Sequence, residues 1–168
     1  NTDYEPETIA RDAQISDLLR ANGVAFRLLK DQVIFEKSEI VKDDGSPFEI
    51  FTPYSKAWKH KLSQTNLETF PSGDLQHHFQ KTNPLPFPSL SEIGFNYIET
   101  GISDPFIDKN IIQHYHETRN FPYLPGTSKL SVHLRFGTIS IRELVKTAAD
   151  QNEQFLNELI WREFFMMI

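Results

Sequence analysis

Residues 63–100 constrain the fold of this chain more than any other segment. The stretch holds Pro71, Pro84, Pro86 and Pro88 and shows little apolar periodicity. Proline lacks the N–H that helix and sheet interiors need, and an irregular run of this length inside one compact core is uncommon. The segment therefore reads as a linker between two structured parts, 1–62 and 101–168. It is too apolar to float free, so Phe79, Leu85, Phe87, Leu90 and Phe95 are expected to anchor it on a surface.

The first part mixes helix and strand signals. Pro6 suits the first position of a helix carrying Ile15, Leu18 and Leu19, and Asn22-Gly23 stops it. Val24 to Leu29 reads as a short strand, and Val33-Ile34-Phe35 as strand or loop. Asp43 to Pro47 is a turn cluster, and Phe48 to Phe51 reads as extended. Thr52 is expected to cap, and Pro53 to start, a helix with Tyr54, Trp58 and Leu62 on one face. One helix between short extended pieces looks like the end of an α/β sheet.

From Asp104-Pro105 onward the pattern is helical, with Ile107, Ile111 and Tyr115 on one face. Thr127 or Ser128 is expected to cap a short helix ending at Gly137. Ser140 and Glu143 form a capping box ahead of the stripe Ile141, Leu144, Val145 and Ala148. The last helix begins near Asn152 and runs into Phe164-Phe165-Met166-Met167-Ile168 with no stop signal. The start, at Asn1, has no Met and no basic and apolar leader. The chain thus reads as a fragment of a larger protein. Its apolar end is expected to be uncovered and to drive a dimer or aggregation.

Composition excludes several chemistries. With 39% hydrophobic residues a core can form. The absence of cysteine rules out disulfides, thiolate metal sites and Cys nucleophiles, and fits a reducing compartment. No stretch of ~18 apolar residues exists to span a membrane. The net charge of −6 counts softly against nucleic acid, although an acidic protein can carry a basic groove. His77 and His78 are adjacent in the linker, and His114 and His116 fall on different helix faces, so no metal site is expected.

Two constellations carry chemistry. Glu158, Trp161 and Arg162 stand at i, i+3 and i+4. This places a carboxylate, a flat stacking surface and a guanidinium together, with Leu156, Leu159, Ile160 and Phe164 on the other side. Such a face can stack a nucleobase, bond its edge and reach a phosphate or flavin. It is also what a half-buried Trp beside an ordinary Glu–Arg pair looks like. Thr127-Ser128-Lys129-Leu130-Ser131 follows Pro125-Gly126, so hydroxyls and N–H groups at a helix start could hold a diphosphate, or simply cap the helix.

Five segments together resemble the DNA photolyase/cryptochrome family over essentially the whole chain. Asn1 to Pro6 with Arg11-Asp12 is similar to the family's N-x-x-Y-E…R-D segment. Phe51-Thr52-Pro53-Tyr54 with Ala57-Trp58 is similar to F-T-P-[FY]…A-W. Arg119 to Pro122 with Gly126 to Ser131 resembles R-D-F-P…G-T-S-[RK]-L-S. Leu134 to Gly137 with Ile139-Ser140 resembles L-[RA]-[FT]-G-x-[IL]-S, and Asn157 to Phe164 resembles N-E-L-I-W-R-E-F.

The resemblance implies an α/β plus all-α class: a mainly helical piece with a few short strands. Residues 1–62 would end an α/β antenna-type domain, 63–100 would link, and 101–168 would open a helical domain that binds flavin adenine dinucleotide (FAD). It implies that Tyr115, Thr127, Ser128, Leu130, Ser131 and, through its backbone, Lys129 hold FAD, with Glu158 and Arg162 in the same pocket. Phe155 stands where relatives often carry a cofactor-contacting Trp. Arg119 would touch the DNA backbone. Trp161 would stack on a flipped pyrimidine dimer, with Glu158 bonded to its edge and Arg162 nearby. Glu5 sits where some members contact a folate antenna; deazaflavin is the other chromophore of this kind. The activity implied is light-driven splitting of cyclobutane pyrimidine dimers in a bacterial cytoplasm. A cryptochrome-type receptor is the alternative, against which the aromatic Trp161 argues. A helical module without chemistry is a third reading for this piece alone, which is expected to bind flavin weakly or not at all.

Overall fold

A computed structural model describes residues 1–68, 70, 72–83 and 85–168, with Ser72 described by its backbone alone. Pro71 and Pro84 lie outside the described residues. The chain divides into two units, one formed by residues 1–67 with 105–168 and the other by 68–104.

In the larger unit, α1 (Pro6–Ala21) starts on Pro6 and stops at Asn22, with Gly23 at φ 71° turning the chain away. α2 (Phe51–Gln64) buries Tyr54 and Trp58 one turn apart, and Leu62 is half-buried. Two short helices follow, α3 (Lys109–Gln113) and α4 (Tyr115–Thr118). Asp108 caps α3 by accepting the N–H of Asn110 at 2.9 Å. α5 (Ser131–Phe136) ends on Gly137 at φ 66°. α6 (Ile141–Gln151) is capped by the Ser140 hydroxyl and buries Ile141, Leu144, Val145 and Ala148. α7 (Glu153–Met167) is capped by Asn152, whose side-chain oxygen accepts the Phe155 N–H at 3.1 Å. α7 packs on α2, α4 and α6, so the core forms around it.

The expected strands do not form. Among the described residues the only β pairing is an isolated antiparallel bridge between Val41 and Pro47, and the protein is mainly helical. A strand is a pairing state and needs a neighbouring ladder. Leu29 offers its carbonyl to Thr2 N–H at 2.9 Å, and Val24 donates back to Leu19 at the end of α1. Val24, Leu28 and Leu29 are exposed, whereas Val33, Ile34 and Phe35 are buried without forming a strand.

Other local expectations shift. α2 begins at Phe51 behind Ile50, with no side-chain cap, rather than at Pro53 behind Thr52. Pro53 is tolerated because the first four N–H groups of a helix have no intrahelical partner. Ile112, not Ile111, is the buried residue of α3. At the end of α7, Phe164 and Met167 are buried, and only Phe165 and Ile168 stand out as strongly exposed apolar side chains. Neither Thr127 nor Ser128 caps α5, whose N-cap position is Leu130 with no side-chain bond.

The smaller unit contains a 3₁₀ helix, Ser72–His78. Phe79, Leu85, Phe87, Leu90 and Phe95, expected as anchors, are all exposed, so among the described residues the unit forms no apolar core of its own. Ser89 and Glu92 close a local turn, the Ser89 N–H donating to Glu92 at 2.7 Å. Among the described residues no helix is long and apolar enough to cross a membrane.

Candidate functional site

A cavity of about 600 Å³ opens between α4, the loop before α5, and α7. The loop is pinned at both ends. Gly126 is buried against Thr118, and Leu130 is buried in the core. Between them Thr127 and Lys129 stay exposed and Ser128 half-buried. Lys129 takes φ 54°, and Leu130 returns to the right-handed helical region. That alternation turns successive backbone N–H groups to one side, the pattern of anion-binding nests.

Gly126 is required by close approach. A Cβ there would sit on Cβ and Oγ1 of Thr118. Gly126→Ala should force the loop outward and cost about 1–3 kcal/mol. Urea unfolding of the variant checks this, and an unchanged midpoint would show that the loop yields freely.

Across the cavity, the Asn152 cap fixes the first turn of α7 and with it Phe155. Phe155 meets Tyr115 edge to face, with centroids 5.0 Å apart and planes at 88°. One turn on, Glu158 forms an ion pair with Arg119, and Gln154 Nε2 donates to the same carboxylate oxygen at 3.3 Å. The Arg119 guanidinium also lies over the Tyr115 ring, 5.3 Å from its centroid. Burial raises the Tyr115 hydroxyl above its ordinary pKa, the Glu158 carboxylate adds to this, and Arg119 opposes it. Another turn on, Arg162 donates to the Gln32 carbonyl at 2.8 Å and the Leu134 carbonyl at 3.5 Å.

The structure brings Tyr115, Thr127, Ser128, Lys129, Leu130, Ser131, Phe155, Glu158 and Arg162 around this one cavity, with Leu134, Leu144 and Leu159 completing its wall. The loop side offers hydroxyls and backbone N–H groups, and α7 adds the Arg162 guanidinium and the Glu158 carboxylate. Tyr115, Phe155, Leu134, Leu144 and Leu159 offer apolar and aromatic surface. This donor set suits a ligand with a charged diphosphate and a flat apolar ring.

Trp161 and Arg119 are not among the lining residues. The indole lies flat on Phe51 of α2, with centroids 3.6 Å apart and planes within 5°, and Phe165 stacks beside it at 5.4 Å. The expected common face of Glu158, Trp161 and Arg162 is therefore split: the two charged groups look into the cavity and the indole toward α2. Glu5, the residue of the implied antenna contact, pairs with Arg135 of α5.

One residue went unnoticed in the sequence. Glu163 is 2% exposed. Its carboxylate accepts three N–H groups: Ile34 at 2.7 Å, Phe35 at 3.0 Å and the Trp58 indole at 2.6 Å. Burial pushes its pKa up to about 7, while the three donors and Arg162 hold it down. The available signal was a charge on the apolar side of α7, between Ile160 and Phe164.

Comparison with known proteins bears on the same residues. Residues 1–74 match the DNA photolyase family model. Three curated relatives, each named deoxyribodipyrimidine photo-lyase, match this chain almost end to end. They are a Halobacterium salinarum protein, 29% identical over 100% of this chain, one from a Synechococcus species, 30% identical over 98%, and one from Escherichia coli, 28% identical over 98%. The chain spans 40%, 40% and 38% of their respective lengths. These alignments, unlike the family-model match, extend over the cavity residues. With the family's motifs in order along its length, the chain is similar to DNA photolyases from end to end.

Proposed function

We propose that this chain supplies the diphosphate-binding side of the flavin pocket in a light-dependent DNA repair enzyme that splits cyclobutane pyrimidine dimers. The observation that carries the reading is the one cavity around which the nine residues that the resemblance assigns to flavin converge. Residues 1–62 then belong to the end of an α/β domain, 63–100 to the linker and 101–168 to the start of the FAD-binding helical domain. Folate or deazaflavin remains open as an antenna near Glu5.

When bound, reduced FAD supplies a photo-excitable electron donor. The chain's own residues bind and orient it. The Thr127, Ser128 and Ser131 hydroxyls and the turned backbone at Lys129 and Leu130 face the diphosphate, and Arg162 adds a fixed positive charge. Tyr115, Phe155 and Leu159 exclude water from the apolar side. Arg119 neutralises Glu158 until DNA is bound, then turns to a phosphate and frees the carboxylate to accept from the extruded lesion. Trp161 offers the stacking surface.

The test uses the protein at the full length of its relatives. It should retain flavin absorbance on gel filtration and convert a dimer-containing oligonucleotide to intact thymines under blue light, not in the dark. Flavin binding without light-dependent conversion would leave the receptor reading standing in its place.

A further inference from the structure

Glu163 and Arg162, consecutive on α7, both bond one short backbone segment. Arg162 takes the carbonyl of Gln32, and Glu163 takes the N–H groups of Ile34 and Phe35. The same carboxylate ties this segment to α2 through the Trp58 indole. α6 adds a further hold: Arg142 donates to the Lys30 carbonyl at 3.0 Å. Ile34 and Phe35 are buried, so their N–H groups have no water to fall back on, and an unmet buried donor is costly.

We infer that Glu163 is a positioning residue for the cavity: by pinning residues 33–35 it fixes the Gln32 carbonyl, which aims the Arg162 guanidinium at the anion-binding wall. A long Arg side chain has many rotamers. One aimed at a cavity needs its other N–H groups held, and Gln32 and Leu134 hold them. Of these two acceptors the nearer, Gln32, sits two residues from the Glu163 clamp. Glu163 does not line the cavity, so its effect on a ligand passes through Arg162. The ligand class, an organic diphosphate, rests on the flavin reading above. The link from Glu163 to Arg162 rests on the bonds alone.

The test is made on the 168-residue chain with the Arg162 Nη–H donated to the Gln32 carbonyl followed by NMR. In the unsubstituted protein this proton should be resolved and protected. It should exchange with the same opening free energy as the Ile34 and Phe35 amides, because one opening releases all three. Glu163→Gln keeps the shape but turns a donor toward one of the N–H groups. It should speed exchange of this Arg162 Nη–H at least tenfold while the Leu144 and Val145 amides of α6 stay protected. Val145→Ala, a core truncation that removes none of the segment's hydrogen bonds, should leave the Arg162 signal in place. An Arg162 signal indifferent to Glu163→Gln, or moved equally by Val145→Ala, overturns the role. If Glu163→Gln fails to fold, exchange in the unsubstituted protein still decides, since Ile34 and Phe35 opening without Arg162 overturns it. The two readings fail separately. In the protein at the full length of its relatives, added FAD that leaves the Arg162 signal unmoved counts against the flavin pocket, whereas an Arg162 signal independent of Glu163 overturns the positioning role.

Discussion

The unsubstituted chain should lose about 2 kcal/mol of folding stability between pH 5 and pH 8, and Glu163→Gln should abolish most of that loss. The Glu163 carboxyl is raised from an ordinary 4.5 to about 7 in the fold. The folded state therefore holds this proton more tightly than the unfolded state does. Below pH 4.5 both states are protonated and the contribution to stability is full. As pH rises toward 7 the unfolded chain releases its proton first, and stability falls until the folded group has also ionised. Each unit of separation is worth about 1.4 kcal/mol, so a gap of two to three units carries about 3 kcal/mol, most of it between pH 5 and pH 8. Three N–H donors make the ionised carboxylate tolerable but do not cancel its desolvation. Tyr54, Tyr4 and Arg162 face the same group. The two phenols are raised above their ordinary values and Arg162 remains charged, so none of them titrates in this window. The comparison is between the protein and its variant rather than between two pH values alone, so that groups common to both cancel. Urea midpoints at pH 5 and 8 are the measurement. Equal slopes in both proteins would mean that Glu163 is ionised throughout, its three donors outweighing burial.

What could be read in advance was what local chemistry decides. The Ser140 cap, the Asn22-Gly23 and Gly137 stops, and the Tyr54–Trp58 and Ile141–Ala148 stripes each depend on residues within a turn or two, and the structure shows all of them. The Val24–Leu29 strand failed for the converse reason: apolar residues in a run suggest a strand, but only a partner makes one. Spacing and helix-start chemistry singled out Thr127–Ser131, Glu158 and Arg162, and the family resemblance added Tyr115 and Phe155; that they share one cavity was not legible, since α4, the Thr127–Ser131 loop and α7 meet only in three dimensions. Glu163 escaped because its partners lie 129, 128 and 105 residues away. The split of Trp161 from Glu158 and Arg162 escaped for the same reason. Helical spacing puts three residues on one broad face, but the distant Phe51 decides where the indole lies.

At the full length of its relatives, the protein should lose roughly tenfold to hundredfold in affinity for dimer-containing DNA on Trp161→Ala, and much less for undamaged DNA. One base stacked on an aromatic side chain is worth about 1–3 kcal/mol. An extruded lesion presents such a face, and an intact duplex does not. In the present structure Phe51 lies on the indole with planes 5° apart, so a stacked lesion must take the place of a ring already there. The net gain is the difference between two stacks, which favours the lower end of the range. Truncating Trp161 also removes packing from Phe164 and Phe165, so thermal stability is measured alongside. Arg119→Ala gives the contrast: it removes a charge that reads no base, and should weaken both duplexes alike and flatten the salt dependence. Paired binding isotherms on lesion and control duplexes at matched salt decide the matter. If Trp161→Ala costs both duplexes equally and lowers the melting temperature, then the stack on Phe51 is the indole's whole role, and the residue belongs to the core.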